Sequence, residues 1–407
     1  MKQVEVCMRE LARLQIRTGV NVQPGQRLFI KNVPVSAAKY AHMLAEEAYK
    51  VGAADVNVFY NDAVLSRLRY LHAAEEALDD WYGYPTETVE KMAARGDCEL
   101  EIFGSDPQAF EGCDPRRIRR TVEVRRKITS ASDQAHIVKK IRRCTTAVPT
   151  TAWAREVFPD LPEEEALDAL WEAVFTTARI TGDGKAVERW EAFAADARQR
   201  CKRLTEAGFT ALHYKNGIGT DVTIGLPKGH VWCCVWTEAQ DGVGYYGNLP
   251  TEEIYTSPHR DRAEGVIVSS MPLYWMGSVI EGIRLTMREG KVVEASAKKG
   301  QDLLLDLLAI DEGALHLGEC ALVGWDSPIR TSGVRFCNML FDENAACHFA
   351  LGAGFPLTIP HGDAAAAGVN DSVLHLDFMI GTADLAVTGL TADGHKTPIL
   401  RNGTFVI

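Results

Sequence analysis

The stretch QPGQRLFIKNVPVSAAKYAHMLAEEAYKVGAADVNVFY (residues 23–60) holds the plan of the N-terminal half in short form. After the turn signal QPGQ, RLFIKNV (27–33) is an apolar run of strand length. SAAKYAHMLAEEAYKVG (36–52) then places its apolar residues at helical spacing, with Ser36 as the expected cap and Gly52 as the stop. DVNVFY (55–60) reads as a second strand. Strand, helix and strand in this order predict two parallel strands joined by a crossover helix.

The same order returns downstream, where TETVEKMAARG (86–96) leads into CELEIFG (98–104). Two further helices are expected, one starting near Pro162 with acidic residues in its first turn, and one across 187–208 that joins two domains. Upstream, Glu5, Arg9, Glu10 and Arg13 interrupt the apolar stretch that a signal peptide needs, so residues 1–20 read as an amphipathic helix. This half has neither GxGxxG nor GxxxxGK[ST], which removes support for a nucleotide site.

From Phe209 the texture changes to hairpins. FTALHYK and IGTDVTIGL flank Asn216-Gly217, a dipeptide suited to a tight turn; IRLTM and VVEASA flank REGK; DLAVTGL and PILRN flank ADGHKT. A helix is expected over 301–311. The predicted fold class is therefore α/β: an N-terminal α/β domain (1–205) with a mostly parallel sheet and helical connection, and a β-rich α+β domain (206–407).

Composition narrows the function. A chain of 407 residues exceeds the usual single core. No run of about 18 apolar residues is present to span a bilayer. The ten cysteines lack a disulfide-framework spacing, which fits reduced thiols and the cytoplasm. A net charge of -11 argues against nucleic acid as a partner, and the basic stretch DPRRIRRTVEVRRK is read as a solvated helix face or a subunit contact.

Metal-ligating residue types gather in the second half. In LHLDFMIG (374–381), His375 and Asp377 lie two apart in a strand-like segment, so both side chains project from one face, with Leu374, Leu376 and Phe378 on the other. An HxD pair alone is weak evidence for a metal and is more often an ordinary half-buried pair. His348 sits in FDENAACHFALGAGFP (341–356), preceded by Asp342 and Glu343. NLPTEEIYTSP carries Glu252 and Glu253, and LGECALVGWDSPI carries Glu319 and Asp326. Glu319 stands in an apolar run where an unpaired carboxylate is costly to bury. Together, three carboxylates and two imidazoles suit two divalent cations such as Zn, Co or Mn.

NLPTEEIYTSP, LGECALVGWDSPI, MLFDENAACHFALG and HLDFMIG, in that order, resemble the motifs of the aminopeptidase T / aminopeptidase S family of metalloaminopeptidases. NVQPGQRLFI…AEEAYKVGA and GTDVTIGLPKGHVW are also similar, so the likeness spans nearly the whole chain. The resemblance implies a dimer that removes N-terminal residues from peptides with two metal ions. It also implies ligands at Glu253, Glu319, His348, His375 and Asp377, with Glu253 preferred over Glu252 because it precedes the apolar residue of E-[VI]-[FY]-T. Glu343 or Glu319 is the expected proton shuttle, with Glu343 favoured because Glu319 is needed as a ligand.

This chain departs from several relatives at Phe355, where they carry a tyrosine near the site. A phenol there could hydrogen-bond a developing oxyanion, and Tyr255, Trp325 or a water are the available substitutes. Trp232, Tyr274 and Trp325 are otherwise read as core aromatics. The competing enzyme reading is a ring-cleaving dioxygenase acting on dihydroxypyridine, with one Fe(II) held by His348, His375 and Asp377. A non-catalytic peptide-binding dimer leaves five intact ligands without a purpose.

Overall fold

The computed structural model describes residues 2–80, 86–104, 109–275 and 278–407. Its fold is α/β, with one parallel sheet and several antiparallel ones. Beside the expected division at 205/206, the contacts group Met1–Glu191 with Trp236–Pro250, and Ala192–Val235 with Thr251–Ile407. The helix Ala186–Glu206 carries the chain from the first unit into the second.

In the first unit the strands run in the spatial order Asn248–Leu249, Arg143–Ala147, Cys98–Phe103, Arg27–Pro34 and Asp55–Asn61. Every neighbouring pair is parallel. Leu28 and Ile30 are fully buried, which is why 27–34 reads as a continuous apolar run rather than an alternating one. The crossover helix is Ala38–Lys50. Ser36 does not cap it: the chain enters through a 3-10 turn, Val35–Ala37, and no side chain accepts from the first helical N–H groups.

This sheet buries a charge network. Lys31 Nζ donates to Glu99 Oε2 at 2.8 Å and Arg143 Nε donates to the same oxygen at 2.6 Å, while Ser132 hydrogen-bonds Oε1. Burial pushes the Glu99 carboxyl up, but the two cations overcome it and hold the group at about 2. A depressed folded value stabilises fully above the unfolded value near 4.5, and the benefit fades as pH falls toward 2. Integrated over that window it amounts to about 3 kcal/mol. Glu99→Gln is therefore expected to be less stable than the wild type at pH 6 in urea unfolding, with the gap narrowing by about 2 kcal/mol at pH 3. A gap independent of pH would contradict this assignment.

The basic helix Pro115–Ile137 directs Arg117 to Glu75 and Arg120 to Glu75 and Asp79. Intrachain carboxylates thus neutralise part of the basic face. Among the described residues, no helix is long and apolar enough to cross a membrane.

The second unit contains an eight-stranded and a five-stranded antiparallel sheet. In the larger sheet, Arg284–Arg288 and Lys291–Ser296 turn through Glu289 and Gly290 at φ +47° and +79°, a two-residue turn that matches strand twist. A Cβ on Gly290 would sit 1.9 Å from the Arg260 carbonyl oxygen. The hairpin Ala211–Lys215 to Asp221–Gly225 differs from expectation, because Asn216-Gly217 opens a longer loop whose positive φ falls on Gly219. Asn216 closes that loop through its own side chain, its Oδ1 accepting from Thr220 N–H, and Gly217 N–H donates to Asp384. Local side-chain bonds here outweigh the turn preference of the dipeptide.

The five-stranded sheet runs in the order His375–Met379, His348–Gly352, Leu317–Leu322, Ile254–Thr256 and Cys233–Cys234. Phe349 and Phe378, both almost fully buried, project from one face. Tyr214 of the larger sheet meets Phe349 edge-on at 4.9 Å, so this face packs into the core. The opposite face is left for chemistry.

Candidate metal centre

Period-two alternation and cross-strand register together assemble this face. Tyr255 pairs with Ala321, Ala321 with His348, and His348 with Met379. In the next row Glu319 pairs with Ala350, and Ala350 with Asp377. His375 follows, opposite Gly352. Glu253 stands just ahead of the strand Ile254–Thr256, two residues before Tyr255. Between the donors this face carries the small residues Ala321, Ala350 and Gly352, with Tyr255 and Met379 at the ends of the His348 row.

The donor atoms converge in two groups. Glu253, Glu319 and His348 each offer a ligand atom, all within 4.8 Å of one another, and so do Glu319, His375 and Asp377. Glu319 belongs to both. His348 Nε2 lies 3.1 Å from Glu253 Oε2, and His375 Nε2 lies 3.3 Å from both Glu319 Oε2 and Asp377 Oδ1. Asp377 Oδ1 is buried yet accepts no hydrogen bond.

Both imidazoles are oriented from behind. The Nδ1–H of His375 donates to the Ala353 carbonyl at 2.8 Å and that of His348 to the Ala346 carbonyl at 3.3 Å. Each ring therefore turns Nε2 toward the carboxylates, as backbone carbonyls do behind metal-bound histidines.

The electrostatics fit a cation. Burial and the neighbouring charges of Glu253 and Asp377 push the Glu319 carboxyl up to about 7, against the hydrogen bond from His375. Glu343 is raised well above the carboxylate range by burial, then by Asp377 and Glu253. Burial works against protonated imidazole, yet Glu253 lifts His348 to about 10, and Asp377 and Glu319 raise His375 well above its ordinary range. Carboxylates so crowded demand positive charge, and a divalent cation supplies it while leaving both imidazoles neutral for ligation. The donor set of oxygen and imidazole nitrogen fits Zn, Co or Mn, and no thiolate joins either group.

Glu343 lies on the 3-10 turn Glu343–Ala345, and its Oε1 accepts from Asn344 Nδ2 at 3.2 Å. Asn344, fully buried, also accepts the Glu252 N–H at 2.7 Å, tying the segment before Glu253 to this turn. Sequence reasoning missed Asn344, and nothing in its local sequence announces the role. The remaining carboxylates stand apart from both donor groups. Asp342 accepts the N–H groups of Phe336 and Asn338, each at 3.0 Å, which makes it a loop clasp. Asp326 is exposed, and Glu252 is outside both groups.

Phe355 stands at the rim. Its ring is 5.1 Å from that of His375 and 5.2 Å from that of Tyr255, and its N–H donates to Ser257 Oγ. Trp232 is buried, and Trp325 stacks under Arg330 at 4.0 Å.

Residues 5–405 match the family model described as thermophilic metalloprotease (M29). The chain is 39% identical to Aminopeptidase 2 of Geobacillus stearothermophilus over 405 residues, 97% of this chain and 96% of that one. The solved structure of wild-type AmpT from Thermus thermophilus matches it with a TM-score of 0.92 at 38% identity, covering 99% of this chain and 100% of that chain. A 2,5-dihydroxypyridine dioxygenase from Pseudomonas putida KT2440 covers 100% of this chain and 98% of its own with a TM-score of 0.53 at 13% identity, a likeness of fold alone.

Proposed function

We propose, for a chain that belongs to the thermophilic metalloprotease (M29) family and is a metalloaminopeptidase, that it removes the N-terminal residue of peptides with a co-catalytic pair of divalent cations. One observation carries the pair: the donors form two groups that share Glu319, rather than one. Glu253, Glu319 and His348 would hold one ion, and Glu319, His375 and Asp377 the other. When bound, such ions polarise a carbonyl and lower the pKa of water toward neutrality.

The chain's own groups perform the rest. The Ala346 and Ala353 carbonyls hold the two imidazoles in the ligating tautomer. Asn344 engages Glu343 Oε1, which leaves Oε2 to take a proton from the water that adds to the first peptide carbonyl carbon. As the carbon–nitrogen bond breaks, Glu343 returns that proton to the departing amine. Its crowding by Asp377 and Glu253 favours holding a proton between the two transfers.

The mononuclear iron reading needs His348, His375 and Asp377 around one ion. Those residues divide between the two groups, and no single group holds all three. Metal analysis with hydrolysis of aminoacyl anilides tests the proposal. The expected result is about two Zn, Co or Mn ions per chain, with turnover abolished by a chelator and restored by the ion. One iron per chain with oxygen consumption would overturn it.

A further inference from the structure

We propose that the hydroxyl of Tyr255 donates a hydrogen bond to the carbonyl oxygen of the substrate's first peptide bond as that oxygen gains negative charge. The inference rests on the peptidase reading above and adds a residue that touches the reacting atoms.

Three observations carry it. Tyr255 projects from the same face as the donors: it pairs with Ala321, which pairs with His348, and Glu319 is its diagonal neighbour across that pairing, while Glu253 lies two residues ahead of it, just before the strand. A diagonal pair on one sheet face lies within reach of a long side chain. Next, the ring is held in place. Phe355 packs against it at 5.2 Å and itself packs against His375 at 5.1 Å, so a single ring braces both the phenol and one of the imidazoles. Last, the hydroxyl makes no hydrogen bond to any described residue, although Tyr255 is largely buried and feels the charges of Glu253 and Glu319. Polar groups in such places are ordinarily paired, and a free donor beside a hydrolytic centre suits an incoming acceptor.

Phe355 cannot donate, the Tyr274 hydroxyl is engaged beside Cys337 and Arg335, and Trp325 lies under Arg330. Of the described side chains on this face, Tyr255 is the neutral one with an O–H to offer. The phenol keeps its proton throughout; no bond to it forms or breaks.

The test is Tyr255→Phe in the metal-loaded enzyme, compared with wild type on a leucyl anilide and in calorimetric binding of an aminoalkyl phosphonate, a tetrahedral anion. The expected result is a kcat about 10²–10³-fold lower, KM within threefold, unchanged metal content, and phosphonate affinity weakened by a similar direction of effect. A variant that keeps wild-type kcat and phosphonate affinity overturns the proposal, as does one that loses its metal, since Tyr255 would then act on the ions. Hydrolysis absent from the loaded wild type would instead remove the peptidase reading, and this inference with it.

Discussion

His348→Ala lowers kcat/KM by about 10³-fold or more and leaves less than a full pair of ions bound. His348 is 1% exposed and stands on an interior strand of the five-stranded sheet, with Ala321 on one side and Met379 on the other. Its Nε2 is the nitrogen donor of the group formed with Glu253 and Glu319. Removing it leaves two carboxylates facing each other with a weakened hold on their cation. The fold survives, because Phe349 and Phe378 pack the opposite face and the ladder to Leu317–Leu322 is made by the backbone. Metal content by atomic emission, circular dichroism and anilide turnover decide the matter. Full turnover by a correctly folded variant would sink the site.

Glu343→Gln has a different expected profile. The amide matches the carboxyl in size and keeps an oxygen for the bond from Asn344, but it cannot accept and release a proton. A fall in kcat of about 10²–10⁴-fold is expected with KM and metal content little changed. The separation from His348→Ala is the informative part: one variant loses ions, the other keeps them. Should Glu343→Gln lose metal instead, Glu343 is a ligand; should it retain wild-type kcat, the proton passes through another group, with Glu319 next in line.

Much of the scaffold was readable in the chain because its causes are local. The run Leu28 to Ile30, the helical spacing after it and DVNVFY encode one parallel pair, and the structure pairs 27–34 with 55–61. Glu289-Gly290 closes a hairpin as expected because a two-residue turn needs positive φ at both positions. Ser36 and Asn216-Gly217 misled, in each case because a neighbouring turn or side-chain bond satisfied the backbone by another route. The strand Asn248–Leu249 was invisible for a different reason: two residues carry no periodicity, and its partner Arg143–Ala147 is about a hundred residues away.

For the site, the sequence by itself determined which donors exist and that His375 and Asp377 share a face, since alternation along one strand is a covalent consequence of the pleat. It also determined the family, through motifs kept in order along the chain. Only the tertiary structure decided that Glu319 stands across Ala350 from Asp377 and across Ala321's strand from Tyr255, that Glu319 serves both donor groups, and that two backbone carbonyls turn the imidazoles inward. Cross-strand register has no local code. It follows from packing both faces of a sheet at once, one carrying Phe349 and Phe378 and the other a cluster of charge, and a slip of one residue in a strand would turn that strand's donors into the core.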